Sequence, residues 1–228
     1  MPGTQGEAAR NTWLWWSTGK DSAWALKLLR ERMDVSVSAL VTTVNSEFDR
    51  VAMHATRSDL LYAQADAVGL EVHAVDIPYP CPDAVYEAAV SSLIRRAQDD
   101  GVECMAFGDL FLEDIRAYRE GLLSPSRIEP LFPLWGLDTH GLAGEMIDAG
   151  VTAYLTCVDP KVLEPSFAGR PFNAGLLADL PPSVDPCGER GEFHTFVCDG
   201  PMFSHPINVE VGDLVLRDGF VFADLRSS

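Results

Sequence analysis

The hexapeptide Ser17-Thr18-Gly19-Lys20-Asp21-Ser22 constrains this chain more than any other stretch. It follows a short apolar and aromatic run, Thr12-Trp13-Leu14-Trp15-Trp16, and precedes a segment, Ala23 to Arg32, whose Trp24, Leu28 and Leu29 share one helical face. That order is strand, tight turn, helix. Small and hydroxyl-bearing residues at such a junction aim backbone N–H groups and the positive end of a helix at one point, where an anion can sit. Lys20 adds a mobile positive charge, and Ser17 and Ser22 add hydroxyl donors, so the expected ligand is a phosphate chain. A Walker A loop is excluded, because Leu14 stands at its first glycine and Asp21 follows the lysine where Ser or Thr is required. The dinucleotide fingerprint G-x-G-x-x-G is absent.

Downstream, strand and helix patterns alternate. Val35 to Thr43 alternates and is rich in β-branched residues, as a strand should be. Arg50 to Val68 carries apolar residues at helical spacing and ends at Gly69. Leu70 to Ile77 reads as a third strand, Asp83 to Asp99 as a helix, and Glu103 to Phe107 as a fourth strand running into Gly108-Asp109. Such alternation predicts a doubly wound, Rossmann-like α/β fold with a mostly parallel sheet. Ligands collect at the carboxyl ends of such strands, which brings the Ser17 loop, Thr42-Thr43 and Gly108-Asp109 to one crevice.

From Arg127 onward the texture changes to the proline-rich, apolar Glu129-Pro130-Leu131-Phe132-Pro133-Leu134-Trp135-Gly136. A boundary there divides the chain into 11–134, the nucleotide domain, and 135–228, a smaller α+β domain on the substrate side. In the second part Asp138 should cap a helix ending at Gly150, Val151 to Val158 should be a strand, and a short helix is expected around Asn173 to Asp179. Leu214 to Phe222 reads as a hairpin turning at Asp218-Gly219.

The 228 residues are 47% hydrophobic and 22% charged, with a net charge of −17, so the average surface field repels polyanions and argues against a nucleic-acid partner. No basic leader with an apolar run opens the chain, and no apolar stretch is long enough to span a bilayer. The expected location is the cytoplasm, with no membrane partner. Cys81, Cys104, Cys157, Cys187 and Cys198 are scattered and never spaced C-x-x-C, which reads as reduced thiols. A homodimer is compatible with an acidic chain of this size, although no heptad or exposed apolar helix face marks an interface.

A second constellation lies in Asp185-Pro186-Cys187-Gly188-Glu189-Arg190-Gly191-Glu192-Phe193-His194-Thr195. Two glutamates, a histidine and a thiol are compressed between glycines just ahead of an apolar strand. Carboxylates so placed can orient an amine, hold Mg²⁺ beside phosphates, or act as general base.

The Ser17–Ser22 loop resembles the pyrophosphate loop S-G-G-x-D-S of ATP pyrophosphatases. Together with Met53-His54, Gln64-Ala65, Gly108-Asp109 and the Cys187–Thr195 stretch, in that order, it resembles the diphthine-ammonia ligase family of N-type ATP pyrophosphatases over roughly 13–207. The resemblance implies an adenine nucleotide alpha hydrolase sheet and cleavage of ATP to AMP and pyrophosphate with Mg²⁺. Two departures stand out. Thr18 replaces a loop glycine, so either the backbone there does without a positive φ or it is strained; and Arg190 replaces a glycine between the glutamates. Phe193-His194-Thr195 resembles the bacterial version of the motif, where eukaryotic ligases carry Tyr-Glu-Thr; for a bacterial chain the resemblance implies the activity class with an acceptor other than diphthine.

The expected reaction is adenylation of a carboxylate, on a small molecule or a modified protein side chain, followed by displacement of AMP by ammonia or an amine. Ser17, Thr18, Gly19, Lys20, Asp21 and Ser22 would hold the phosphates, with Asp21 on Mg²⁺, and Thr42, Thr43, Gly108 and Asp109 would border the nucleotide. Lys20, Asp21, Glu189, Glu192 and His194 are the expected catalytic residues, with Glu192 acting on the amine. His54, Cys187, Gly188, Gly191 and Thr195 would complete the acceptor side. The alternative is an ATP-binding regulatory or sensor protein without turnover. An RNA-modifying enzyme is disfavoured by the acidity, and a reductase of adenylyl sulfates by a tail without cysteine.

Overall fold

The computed structural model describes residues 8–52 and 55–228. Its first half is a five-stranded parallel sheet in the order β4-β2-β1-β5-β6, built from β1 (Arg10–Trp15), β2 (Val35–Asn45), β4 (Glu71–Ile77), β5 (Cys104–Ala106) and β6 (Glu129–Leu131). A two-residue strand, β3 (Arg50–Val51), adds antiparallel to the far end of β2, where β2 has outrun β1. Helices α1 (Lys20–Arg30), α2 (Ser58–Val68), α3 (Asp83–Asp99) and α4 (Glu113–Leu123) connect the strands.

The strand β1 is apolar on both faces because the sheet is covered on both. Leu14 and Trp16 pack with Leu26 of α1 on one side, and Trp13 packs with Leu93 of α3 on the other. Alternate side chains point to opposite faces of a strand, so consecutive tryptophans feed two cores.

The second half holds α5 (Thr139–Asp148), β7 (Thr152–Val158), α6 (Ala174–Asp179), β8 (Phe193–Asp199), β9 (Val209–Arg217) and β10 (Phe220–Ser227). Its four strands form an antiparallel sheet in the order β8-β7-β10-β9. Asp138 caps α5 by accepting from Gly141 N at 2.8 Å, and Asn173 caps α6 by accepting from Leu176 N at 2.9 Å. The hairpin turns at Asp218 and Gly219, both at positive φ, 52° and 84°. The two sheets share one core: Leu14 and Trp16 of the first belong to the same apolar cluster as Leu155, Phe193 and Val197 of the second. Asp224 of β10 adds a polar tie, accepting from Arg50 at 2.8 Å and from Arg57 at 2.7 Å.

Three local readings change. The helix read from Arg50 begins only at Ser58, and Val51 instead pairs with Val44 as a short strand. The proline-rich stretch contains β6; Pro130 cannot donate to a ladder, and β6 is accordingly an edge strand. Helix α4 escaped notice because Leu123 is its sole fully buried residue, leaving no apolar stripe to read. Among the described residues no helix is long and apolar enough to cross a membrane.

Candidate functional site

On either side of β1 the sheet runs in opposite directions of sequence, β2 on one side and β5 on the other, so the loops after β1 and β5 part company there. A cleft of about 470 Å³ opens at this point. Ser17, Lys20, Asp21 and Ser22 form one wall, Gly108 and Asp109 a second, and Cys187, Gly188, Glu189, Gly191, His194 and Thr195 a third. Residues from three distant parts of the chain are thereby brought together. Thr42 and Thr43 are not among them: they lie inside β2, opposite Ala74 and Val75, since the strand runs on to Asn45. His54 lies outside the described residues.

The loop itself is tightly bonded. Helix α1 begins at Lys20, with Gly19 as its N-cap. The Ser22 hydroxyl donates to the Gly19 carbonyl at 3.0 Å and lies 3.2 Å from the Ser17 hydroxyl, which accepts from Gly19 N at 3.3 Å. Thr195 of β8 accepts from Lys20 N at 3.1 Å, tying the helix start to the second sheet. Thr18 has φ of 70°, so of the two options open at this position the backbone takes the strained one. Its hydroxyl is 2.9 Å from that of Thr56, and its carbonyl accepts from Gln64 Nε2 and from Val197 N, each at 3.0 Å. Gly108 packs so closely on this turn that a Cβ would meet the Asp21 carbonyl carbon and Ser22 N at 3.0 Å.

Lys20 is buried, and its Nζ donates to both Asp21 oxygens, at 3.0 and 2.9 Å, and to the Cys187 carbonyl. Burial opposes the ammonium charge, but neighbouring Asp21, aided by Cys187 and Glu189, outweighs it and raises the Lys20 pKa. Asp21 and Asp109 are also raised, in each case first by burial and then against an adjacent cation, Lys20 or Arg119. Glu189 is pushed up to about 7 by burial and by the negative Asp21 and Asp109, although Leu110 N donates to it at 2.8 Å. His194 is pressed down to about 4 by burial and by the Lys20 charge, so it is neutral at physiological pH. Burial pushes the Cys187 thiol up to about 12, which leaves it without nucleophilic character.

Glu192, expected to act on the amine, is occupied elsewhere. One of its oxygens accepts from Asp185 N and the other from Arg190 N, both at 2.9 Å, and it does not border the cleft. It fastens the turn that presents Glu189. Asp185 does the same from the other end, accepting from Cys187 N at 2.9 Å and from the Thr139 hydroxyl at 2.7 Å. Gly188, at φ 71°, has no room for a side chain, since a Cβ would fall 2.7 Å from the Phe193 carbonyl oxygen.

Sequence reasoning missed Arg119. It reaches the cleft from α4 with its guanidinium 5.2 Å from the Trp15 ring and 5.0 Å from the Phe107 ring. Its Nε lies 3.7 Å from Asp109 Oδ2, and neither buried atom has a hydrogen-bond partner among the described residues. A donor and an acceptor left so at a cleft wall are suited to a phosphate oxygen and a cation respectively. No cluster of three or more His, Cys, Asp or Glu forms a metal cage among the described residues. Mg²⁺ bound with nucleotide phosphates needs only one or two carboxylates, and Asp21 and Asp109 supply hard oxygens of that kind here.

The family models described as diphthamide synthase N-terminal domain and diphthamide synthase C-terminal domain match residues 10–122 and 138–222. Among curated relatives, the diphthine--ammonia ligase of Danio rerio is 27% identical over 162 residues, 68% of this chain and 63% of its own length. Those of Bos taurus and Homo sapiens are each 28% identical over 131 residues, 55% of this chain and 49% of theirs. The chain thus spans about half to two thirds of the length of these relatives. With both halves of one family matched in order across a two-sheet structure, the chain belongs to the diphthamide synthase family.

Proposed function

We propose that this protein is an ATP-dependent amide-forming ligase that adenylates a carboxylate and transfers ammonia or an amine to it. The observation that carries the reading is the juxtaposition, across one cleft at the sheet's switch point, of the Lys20 loop and Glu189. Likeness to the diphthine--ammonia ligases supports ammonia as the nitrogen donor and diphthine or another carboxylate as the acceptor. In this reading residues 11–134 carry the nucleotide, and 135–228 complete the acceptor side with Glu189 and His194.

A carboxylate oxygen of the acceptor attacks the α-phosphorus of ATP, the bond from that phosphorus to the β-phosphate bridge breaks, and pyrophosphate leaves with its electron pair. Lys20 and Arg119, fixed before the reaction, oppose the charge that develops on the leaving group. Asp21 and Asp109 would hold Mg²⁺ beside the phosphates, where it neutralises charge. Ammonia then attacks the acyl carbon, the bond to AMP breaks, and the surplus proton of the new nitrogen passes to a base. Glu189 takes that part in place of Glu192, because it faces the cleft and its pKa near 7 suits proton transfer at neutral pH. His194, neutral, borders the same space.

The test is formation of AMP and pyrophosphate from α-labelled ATP with Mg²⁺, with and without pools of cellular metabolites and diphthine-bearing elongation factor. Release that needs one pool, and that is lost in Lys20→Ala, supports a ligase. Tight ATP binding with no AMP under any pool would leave an ATP sensor instead.

A further inference from the structure

His194 borders two spaces. Besides the cleft, it lines a separate cavity of about 320 Å³ between the far end of β2 and the β9-β10 hairpin. That volume lies at the lower end of the range of roughly 300–1,000 Å³ for small-molecule sites. We propose that this cavity seats the acceptor acid, and that the acid carries a flat, unsaturated or aromatic body. The inference rests on the ligase reading and specifies its second substrate.

Three observations carry it. The walls are aromatic: Phe48, Tyr79, Phe220 and Phe222 face the cavity, with Phe48 edge-on to Tyr79 at 5.3 Å. Such walls favour a flat, polarisable guest over an alkyl chain. The local charge is right for an anion in a chain that otherwise repels one. Arg50 and Arg217 line the cavity against the single carboxylate of Asp218, which accepts from the Tyr79 hydroxyl. Arg50 is held by Asp224 at 2.8 Å, whereas Arg217 rests on the rings of Phe48 and Phe222, 5.2 and 4.8 Å away, with Asp218 no nearer than 3.9 Å. Arg217 is therefore the cation available to a ligand.

Position supplies the third. His194 lines both spaces, so an acid in this cavity lies beside the nucleotide cleft. The nucleotide base has no need of the cavity, because the cleft has its own apolar wall of Trp15, Leu112 and Ile115 beside the phosphate loop.

The experiment uses the full chain with 3-phenylpropionate and hexanoate as probe acids. Binding of each probe is followed by saturation-transfer NMR, and ATP affinity by calorimetry, in wild type, Phe222→Ala and Arg217→Met. The phenyl acid should bind more tightly than hexanoate. Both variants should weaken its binding by about tenfold, the loss of one ring face or one counter-charge, with ATP affinity unchanged. Equal binding of the phenyl acid to wild type and both variants would overturn the assignment. So would a tenfold loss of ATP affinity in them, which would put the base in this cavity. Absence of pyrophosphate from wild type with every acceptor pool is a separate result that removes the ligase reading, and the probe measurements judge the cavity independently of it.

Discussion

Gln64 of α2 donates to the carbonyl of Thr18 at 3.0 Å, and so reaches into the Ser17–Ser22 loop at its one residue of left-handed backbone. The same fully buried side chain donates to the Val197 carbonyl at 2.7 Å and accepts from the Trp16 indole at 2.8 Å. One amide thereby joins the residue that follows β1, the loop and β8. Gln64→Leu should destabilise the fold by about 3 kcal/mol, roughly one to two for each of the indole N–H and the Val197 carbonyl left without a partner. Urea unfolding checks this, and a loss under 1 kcal/mol would mean that the groups find other partners.

Thr18 is β-branched at positive φ, a conformation costing about 1–3 kcal/mol. Thr18→Gly relieves that strain while losing the hydrogen bond to Thr56; Thr18→Ala loses the bond and keeps the strain. The glycine variant should therefore be the more stable of the two by about 1 kcal/mol in urea melts. The reverse order would show that the loop backbone relaxes freely.

Glu189 should govern the pH dependence of amide formation. With its pKa near 7, the rate under saturating substrates should rise with pH through that value as the carboxylate deprotonates. Glu189→Gln keeps an acceptor for Leu110 N but not a base, and should lower product formation by about 10²–10⁴-fold while removing that limb. Glu192→Gln should behave differently: it breaks one of two bonds that close the turn, costing about 1–3 kcal/mol of stability, and retains the limb. A stable Glu192→Gln protein lacking the pH limb would restore Glu192 as the base.

Arg119→Met should weaken ATP binding about tenfold or more without unfolding α4, because most of that helix is exposed and the lost interaction is with phosphate. Arg119→Lys should recover little, since a lysine cannot lie flat on Trp15 and Phe107. Calorimetric titration of both variants decides it, and full affinity in the methionine variant would remove Arg119 from the site.

His194 should make the fold sensitive to acid. Its pKa falls from 6.5 to about 4 on folding, so its contribution to stability is present above pH 6.5 and is lost as pH falls towards 4. Glu189 acts in the opposite sense: its pKa rises from 4.5 to about 7, and its contribution is present below 4.5 and lost as pH rises through 7. His194→Asn should flatten the acid limb of a stability profile measured by urea unfolding from pH 4 to 8. An unchanged limb would mean that other groups set it.

The alternation of β1, β2, β4 and β5 with α1, α2 and α3, the tight loop at the first junction, the cap at Asp138, the short helix from Asn173 and the Asp218-Gly219 turn were legible in the chain because each is a local matter of periodicity, small residues and capping side chains. So was the weight of the Cys187–Thr195 stretch, from its density of glycine and acid. Local pattern also misled where strands had to be measured: Thr42 and Thr43 sit within β2 because pairing with β4 carries that strand on to Asn45. Only the fold decided which carboxylate faces the cleft. Glu189 and Glu192 are three residues apart in a glycine-broken turn, where no helical or strand period assigns direction, and the backbone N–H groups of Asp185 and Arg190 settle it by claiming Glu192. Arg119 and the aromatic cavity beyond His194 were invisible for a related reason, since they are assembled from segments as far apart in the chain as Asn45 and Phe222, whose meeting is set by the packing of two sheets on one core.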